Sequence, residues 1–230
     1  MQTIWKAIKD GYLRLIEPVA SLMVKHQINP NILTSVGTVC TIAGGLAFAT
    51  GHIMVAGWII AITAIFDVLD GTVARRSGRA TVFGAFYDST LDRVADGALL
   101  GGIAWFFATD PVHRNSWVFG ITLLGIVGTF LTSYTRARAE ALGIDAKVGV
   151  MQRAERVVIL SAPQALFGLM LNGWVFVAVV VTLSVTAWIT AVQRILYVRR
   201  VALTEAATPL HPQTDSAPQA AQLAPRRAQS

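Results

Sequence analysis

From Val157 to Gln193 the chain runs 37 residues without one Asp, Glu, Lys or Arg. As a single helix, at 1.5 Å per residue, that run would be about 55 Å long. The hydrocarbon core of a bilayer is only about 30 Å thick. The run therefore divides, and Asn172-Gly173 is the natural turn inside it. Four other segments have the length and apolarity for a crossing: Asn31–His52, Ile53–Ala74, Gly84–Thr109 and Asn115–Thr135. The reading is an all-α integral membrane bundle of six transmembrane helices. Composition agrees, with 54% hydrophobic and 14% charged residues, where a soluble domain carries about 25% charged. A disordered chain and an ordinary soluble globule are both excluded.

An even number of crossings puts both termini on one side. Of the 19 Lys and Arg residues, all but Arg93 and Arg114 fall before the first span, between spans two and three, between spans four and five, or after the sixth, and Arg93 lies just beyond the loop that opens the third. The positive-inside rule makes that side cytoplasmic, and multi-pass insertion in a bacterial plasma membrane follows. The same distribution explains the net charge of +6 without a nucleic-acid partner. Residues 1–20 lack the continuous apolar core of a signal peptide. Ile4, Trp5, Ile8, Tyr12 and Ile16 recur at helical spacing, which predicts an amphipathic helix on the cytoplasmic surface. Residues 21–202 would form the bundle. Residues 203–230, rich in Ala, Gln, Pro and Thr without periodicity, read as a disordered tail. The lone Cys40 excludes an internal disulfide, and the four histidines have no metal-ligand spacing.

Five of the 13 acids lie within thirty positions, inside or at the ends of predicted spans: Asp67, Asp70, Asp88, Asp92 and Asp96. Ionisable groups in spans are costly and mark function by default. Asp67 and Asp70 stand i, i+3 and Asp88 and Asp92 i, i+4, so each pair shares a helix face. Two neighbouring antiparallel helices would then point four carboxylates at one another. Such a group repels itself unless cations sit within it, and oxygen ligands suit hard divalent cations. Asp96, one turn beyond Asp92, is a candidate supporting residue rather than a ligand. Gly71 permits close approach to the backbone, and Arg75 offers a planar donor fork for phosphate. Arg76 and Arg79 read as topological charge.

These residues compose a known signature. Asp67-Val-Leu-Asp70-Gly71-Thr-Val-Ala74-Arg75, eight residues, then Gly84-Ala-Phe-Tyr-Asp88-Ser-Thr-Leu-Asp92 match D-x2-D-G-x2-A-R-x8-G-x3-D-x3-D in full. The chain thus resembles the CDP-alcohol phosphotransferase family over about residues 1–200. The resemblance implies two Mg2+ or Mn2+ ions held by Asp67, Asp70, Asp88 and Asp92, with Asp92 also the general base. It implies contacts to the CDP-lipid from Gly71, Arg75 and Thr81. Asn29 and Pro30 suit a helix start, and the family's Pro-x3-Thr turn carries Asn31 and Thr34 over as further CDP-lipid contacts. A homodimer is implied as well.

Arginines near the ends of spans four, five and six would make a basic pocket, which a phosphorylated acceptor needs and a free alcohol does not. This resembles the bacterial phosphatidylinositol phosphate synthase branch, in which Ser133, Arg136, Arg156 and Arg194 match positions that hold inositol phosphate. Arg136 stands where Lys is usual, and Ala154 where Pro is usual. The expected reaction moves a phosphatidyl group from CDP-diacylglycerol to inositol 1-phosphate, or to another polyol phosphate, and releases CMP. Glycerol 3-phosphate, as in phosphatidylglycerol phosphate synthesis, is the rival acceptor. A divalent-cation transporter is the rival class, but its polar groups should extend through the membrane rather than cluster at one face.

Overall fold

The computed structural model describes residues 17–151 and 153–205. The expected surface helix falls largely on residues outside these, as do positions 206–230 of the expected tail. Residues 17–25 are helical. Six long helices follow: α1 (Pro30–Ala49), α2 (Ile53–Arg76), α3 (Val82–Thr109), α4 (Ser116–Ala141), α5 (Arg153–Phe167) and α6 (Trp174–Glu205). The described residues contain no strand. The last three residues of α6, 203–205, were expected to belong to the tail and are helical instead.

Local chemistry places the helix starts. The Asn31 amide donates to Asn29 Oδ1 at 3.0 Å, with Pro30 at the first helical position of α1. The Gly84 amide donates to Thr81 Oγ1 at 2.9 Å at the start of α3. Asn115 Oδ1 accepts from the Trp117 and Val118 amides at the start of α4. Each side chain satisfies a donor that the first turn leaves unpaired. The long apolar run breaks at the expected place. Between α5 and α6, Gly168, Leu171, Asn172 and Gly173 all have positive φ, from 52° to 76°, in the left-handed region that ends a helix.

The chain is a multi-pass membrane protein: α1, α2, α4 and the segment Leu171–Thr204 are long and apolar enough to cross a bilayer. The expectation of six crossings is met in four helices by that measure. Asp88, Asp92, Arg93 and Asp96 occupy the first half of α3. At 15 residues, α5 would rise only about 22 Å.

The six helices pack as a closed ring, in the order α1, α3, α4, α6, α5, α2 and back to α1. Close approaches at small residues make this possible. A Cβ on Gly45 of α1 would collide with the Ala98 carbonyl of α3. One on Gly57 of α2 would collide with the backbone at Ala165 of α5. Gly125 and Gly128 of α4 meet Ser184 and Trp188 of α6, whereas Gly120 meets nothing within 4 Å. Phe48, Phe106, Phe107 and Phe176 close the bundle interior toward the end remote from the aspartate pairs, with Phe48 and Phe176 stacked at 5.3 Å. Between helices in lipid this cluster holds by contact packing, since lipid tails are as apolar as the rings.

Candidate active site

The two aspartate pairs sit on consecutive helices that do not pack together. Among the described residues α2 and α3 make no close backbone approach, and α1 lies against both. The expectation of two neighbouring helices is corrected accordingly. The short link of residues 77–81 lets α3 return beside α1 rather than beside α2. A glycine of α1 then comes close to the first pair. A Cβ on Gly37 would stand 3.0 Å from Phe66 Cβ and 4.0 Å from Asp67 Oδ1. From the next turn of α1, Thr34 Oγ1 donates to Asp70 Oδ2 at 2.7 Å. Asp70 is only 6% exposed, and Thr34 is buried with it.

Asp67 and Asp70 thus lie against α1. Oxygen donors of this kind fit hard divalent cations. Asp67 and Asp88 are both charged neighbours of Asp70, so the group favours a bound cation. As the side chains stand, no three acid, His or Cys groups among the described residues are gathered as a ligand set. Asp70 is turned to Thr34 and the Gly71 amide, and Asp92 Oδ2 lies 3.7 Å from Arg93 Nη2.

The residues expected at the CDP-lipid form two local groups. The Arg75 guanidinium folds back over Gly71, where an added Cβ would lie 3.2 Å from Nη1. At the head of α3, a Cβ on Gly84 would meet Thr81 Oγ1 at 3.1 Å and Asn31 Oδ1 at 3.4 Å. Asn31, Thr81 and Gly84 therefore form one small surface. Thr34 is different, because its hydroxyl is engaged inside the protein. Ser35 and Tyr87 share a hydrogen bond of 2.8 Å between α1 and α3, a contact that no spacing in the sequence announced. Arg76 and Arg79 do more than carry topological charge. Arg76 forms a two-pronged ion pair with Glu17, and Arg79 donates to the Gln27 carbonyl at 2.7 Å. Both tie residues 17–28 to the end of α2.

On the other side of α3 is a chamber of about 910 Å3, walled by α3, α4, α5, α6 and the loop before α5. Asp88 and Asp92 line it, and so do Ser133, Arg136, Arg156 and Arg194. All four acceptor residues expected from the sequence reach this one space. Arg136 and Arg156 are charged neighbours of Arg194. Three cations gathered at one chamber attract a multiply charged anion. Arg194 has a second task. Its Nε donates to the Val148 carbonyl at 2.9 Å and its Nη1 to the Thr132 carbonyl, so it straps the loop before α5 to α4. Arg136 Nε donates to Glu140 at 2.9 Å. Sequence reasoning missed Arg93 and Lys147, which also line the chamber. Arg93 directly follows the last signature aspartate, and that position was the available signal.

The family model for CDP-alcohol phosphatidyltransferases matches residues 27–206. The chain belongs to this family. It is thus an enzyme of the phosphatidyltransferase class, and the six helices and the chamber are the family domain. A phosphatidylinositol phosphate synthase of Cutibacterium acnes is 33% identical over 200 residues, covering 84% of this chain and 96% of that one. An archaetidylinositol phosphate synthase of Methanothermobacter thermautotrophicus is 35% identical over 185 residues, covering 80% and 89%. The solved phosphatidylinositol phosphate synthase of Mycobacterium tuberculosis, with CDP-DAG bound, superposes with a TM-score of 0.73 at 32% identity, over 80% of this chain and 94% of that one. The same enzyme in complex with manganese and citrate gives 0.72.

Proposed function

We propose that this phosphatidyltransferase joins CDP-diacylglycerol to inositol 1-phosphate, giving phosphatidylinositol phosphate and CMP. The observation that carries the reading is the chamber in which Asp88 and Asp92 share walls with Arg136, Arg156 and Arg194. An uncharged alcohol has no use for three guanidinium groups, whereas a phosphate monoester forms charge-assisted pairs with them. The relatives support the same acceptor: their names differ in the lipid and share inositol phosphate.

Gly71, Arg75, Asn31 and Thr81 would receive the CDP portion, with the acyl chains in the bilayer. Thr34 would act one step back, fixing the Asp70 carboxylate. Ser133, Arg136, Arg156 and Arg194 would seat the acceptor phosphate and turn a ring hydroxyl toward Asp92. Asp92 would accept that hydroxyl's proton as its oxygen bonds to the lipid-side phosphorus. The bond to CMP breaks, and CMP departs as the anion. Bound among Asp67, Asp70, Asp88 and Asp92, two ions of Mg2+ or Mn2+ would supply charge neutralisation of the diphosphate. The concentration of Lys and Arg at the aspartate end puts that end and both termini in the cytoplasm, where the soluble acceptor is found. A homodimer is part of the proposal by family likeness.

The test is purified protein in detergent with radiolabelled CDP-diacylglycerol, divalent cation and a panel of acceptors. Inositol 1-phosphate should react and free inositol should not. Preference for glycerol 3-phosphate would move the enzyme to phosphatidylglycerol phosphate synthesis, and equal use of free inositol would refute the phosphate pocket.

A further inference from the structure

Of the two further chamber cations, Lys147 pairs with Asp145 at 2.9 Å, which leaves Arg93 without a role so far. Its Nη2 lies 3.3 Å from Asp96 Oδ2 and 3.7 Å from Asp92 Oδ2. These are charge contacts without hydrogen-bond closure: Arg93 Nε and Asp96 Oδ2 are both buried and make no hydrogen bond among the described residues. Arg93 faces the chamber, and Asp96 lies one helical turn deeper than Asp92.

Asp96 also lines a separate cavity of about 50 Å3 inside the bundle, together with Thr129, Arg156 and Ser184. Its walls are mostly apolar, with Leu99, Leu160 and Leu183 among them. Ser184 Oγ, buried and without a hydrogen-bond partner among the described residues, offers one polar group to it, and Asp96 offers another. Arg156 lines both spaces, so it joins the cavity to the chamber. One carboxylate therefore contacts one arginine of the acceptor chamber, Arg93, and shares a cavity wall with a second, Arg156. A buried carboxylate is costly unless a cation stays beside it, so Asp96 restrains where Arg93 goes. The loose pairing restrains Arg93 by charge without enclosing its fork, and an arriving anion can take up the unused donors.

We propose that Arg93 is a further anion-binding residue of the acceptor chamber and that Asp96 is the residue that positions it. The inference rests on the reading that the chamber receives a phosphorylated acceptor. Asp96→Asn keeps the shape and removes the charge. Arg93→Gln removes the cation, and Arg93→Lys keeps a charge beside Asp96, guarding against loss of the fold. In the transfer assay, Arg93→Gln and Asp96→Asn should each raise the KM for inositol 1-phosphate roughly tenfold and leave the KM for CDP-diacylglycerol unchanged. Asp96→Glu should recover part of the loss. Asp96→Asn should add nothing once Arg93 is Gln, because its effect passes through Arg93.

The second readout needs no turnover. The melting temperature is followed as inositol 1-phosphate or inorganic phosphate is added to wild type and to each variant. Half-maximal stabilisation should shift to roughly tenfold higher anion concentration in both variants. Wild type stabilised by these anions but inactive toward inositol 1-phosphate would refute the proposed function and leave the inference to the anion titration. Absence of stabilisation in wild type, or unmoved midpoints in both variants, would overturn the inference. Additive effects in the double variant would reduce Asp96 to a separate structural role.

Discussion

The two ends of the bundle use aspartate in opposite ways. At the end remote from the chamber, Asp110 closes α3. Its Oδ1 accepts the Val112 amide at 3.0 Å and the His113 amide at 2.7 Å, and it contacts His113 Nδ1 at 3.1 Å. Burial raises its pKa, but the His113 and Val112 amides and the His113 ring outweigh that, and its carboxyl titrates below the usual range. At the chamber end, Asp67 and Asp88 are charged neighbours of Asp70, and Asp88 and Asp92 line the chamber. Asp110 is satisfied within one turn of its own chain. Asp70 instead takes one donor from α1, the Thr34 hydroxyl, beside the Gly71 amide, and the proposed function gives the four acids to divalent cations.

Charge removal at each end breaks the comparison most sharply. Asp67→Asn, Asp70→Asn, Asp88→Asn and Asp92→Asn should each abolish CMP release while the protein still inserts, because each removes a charge on which cation binding depends. EDTA should silence wild type, with Mg2+ or Mn2+ restoring it. A fully active Asp88→Asn variant would end the two-cation reading.

Next in size are the arginines. Arg156→Ala and Arg194→Ala should raise the acceptor KM roughly ten- to a hundredfold, the worth of a charge-assisted bond to phosphate. Arg194→Ala should also lower the melting temperature, because it frees the Val148 and Thr132 carbonyls. Unchanged acceptor KM in both would return these arginines to topological charge. Arg75→Ala should instead impair use of CDP-diacylglycerol.

Thr34→Val is a smaller test of the same end. It removes the donor to Asp70, at a cost of about 1 kcal/mol. Activity should fall several-fold with the acceptor KM unchanged. An equal loss of KM for both substrates would point to disturbed packing of α1 instead.

The smallest effect belongs to the remote end. Asp110→Asn retains an oxygen acceptor for the two amides and should leave transfer untouched. The native pKa of Asp110 is below its unfolded value, so its stabilisation is present above that value, about 3.9, and fades as pH falls through the native pKa. Melting temperatures of wild type and Asp110→Asn should differ slightly at neutral pH and converge on acidification. A gap that widens in acid would reverse the sign and refute the capping account.

The helices, the break at Asn172-Gly173 and the shared face within each aspartate pair were legible in the sequence. These are local properties: charge-free length, turn-forming residues and the 3.6-residue period act over neighbouring positions. The gathering of Ser133, Arg136, Arg156 and Arg194 was legible only through family likeness. Tertiary structure alone decided that α1 separates α2 from α3, that Thr34 turns inward to Asp70 and that Arg194 straps a loop. It also decided that Asp96 and the chamber residue Arg156 line one small cavity. Each of these depends on which helix sides meet across the ring. In a bilayer, apolar surface is equally content against lipid or protein, so those meetings are set by close backbone approach at glycines and by buried polar partners distant in sequence. No local pattern in the chain encodes them.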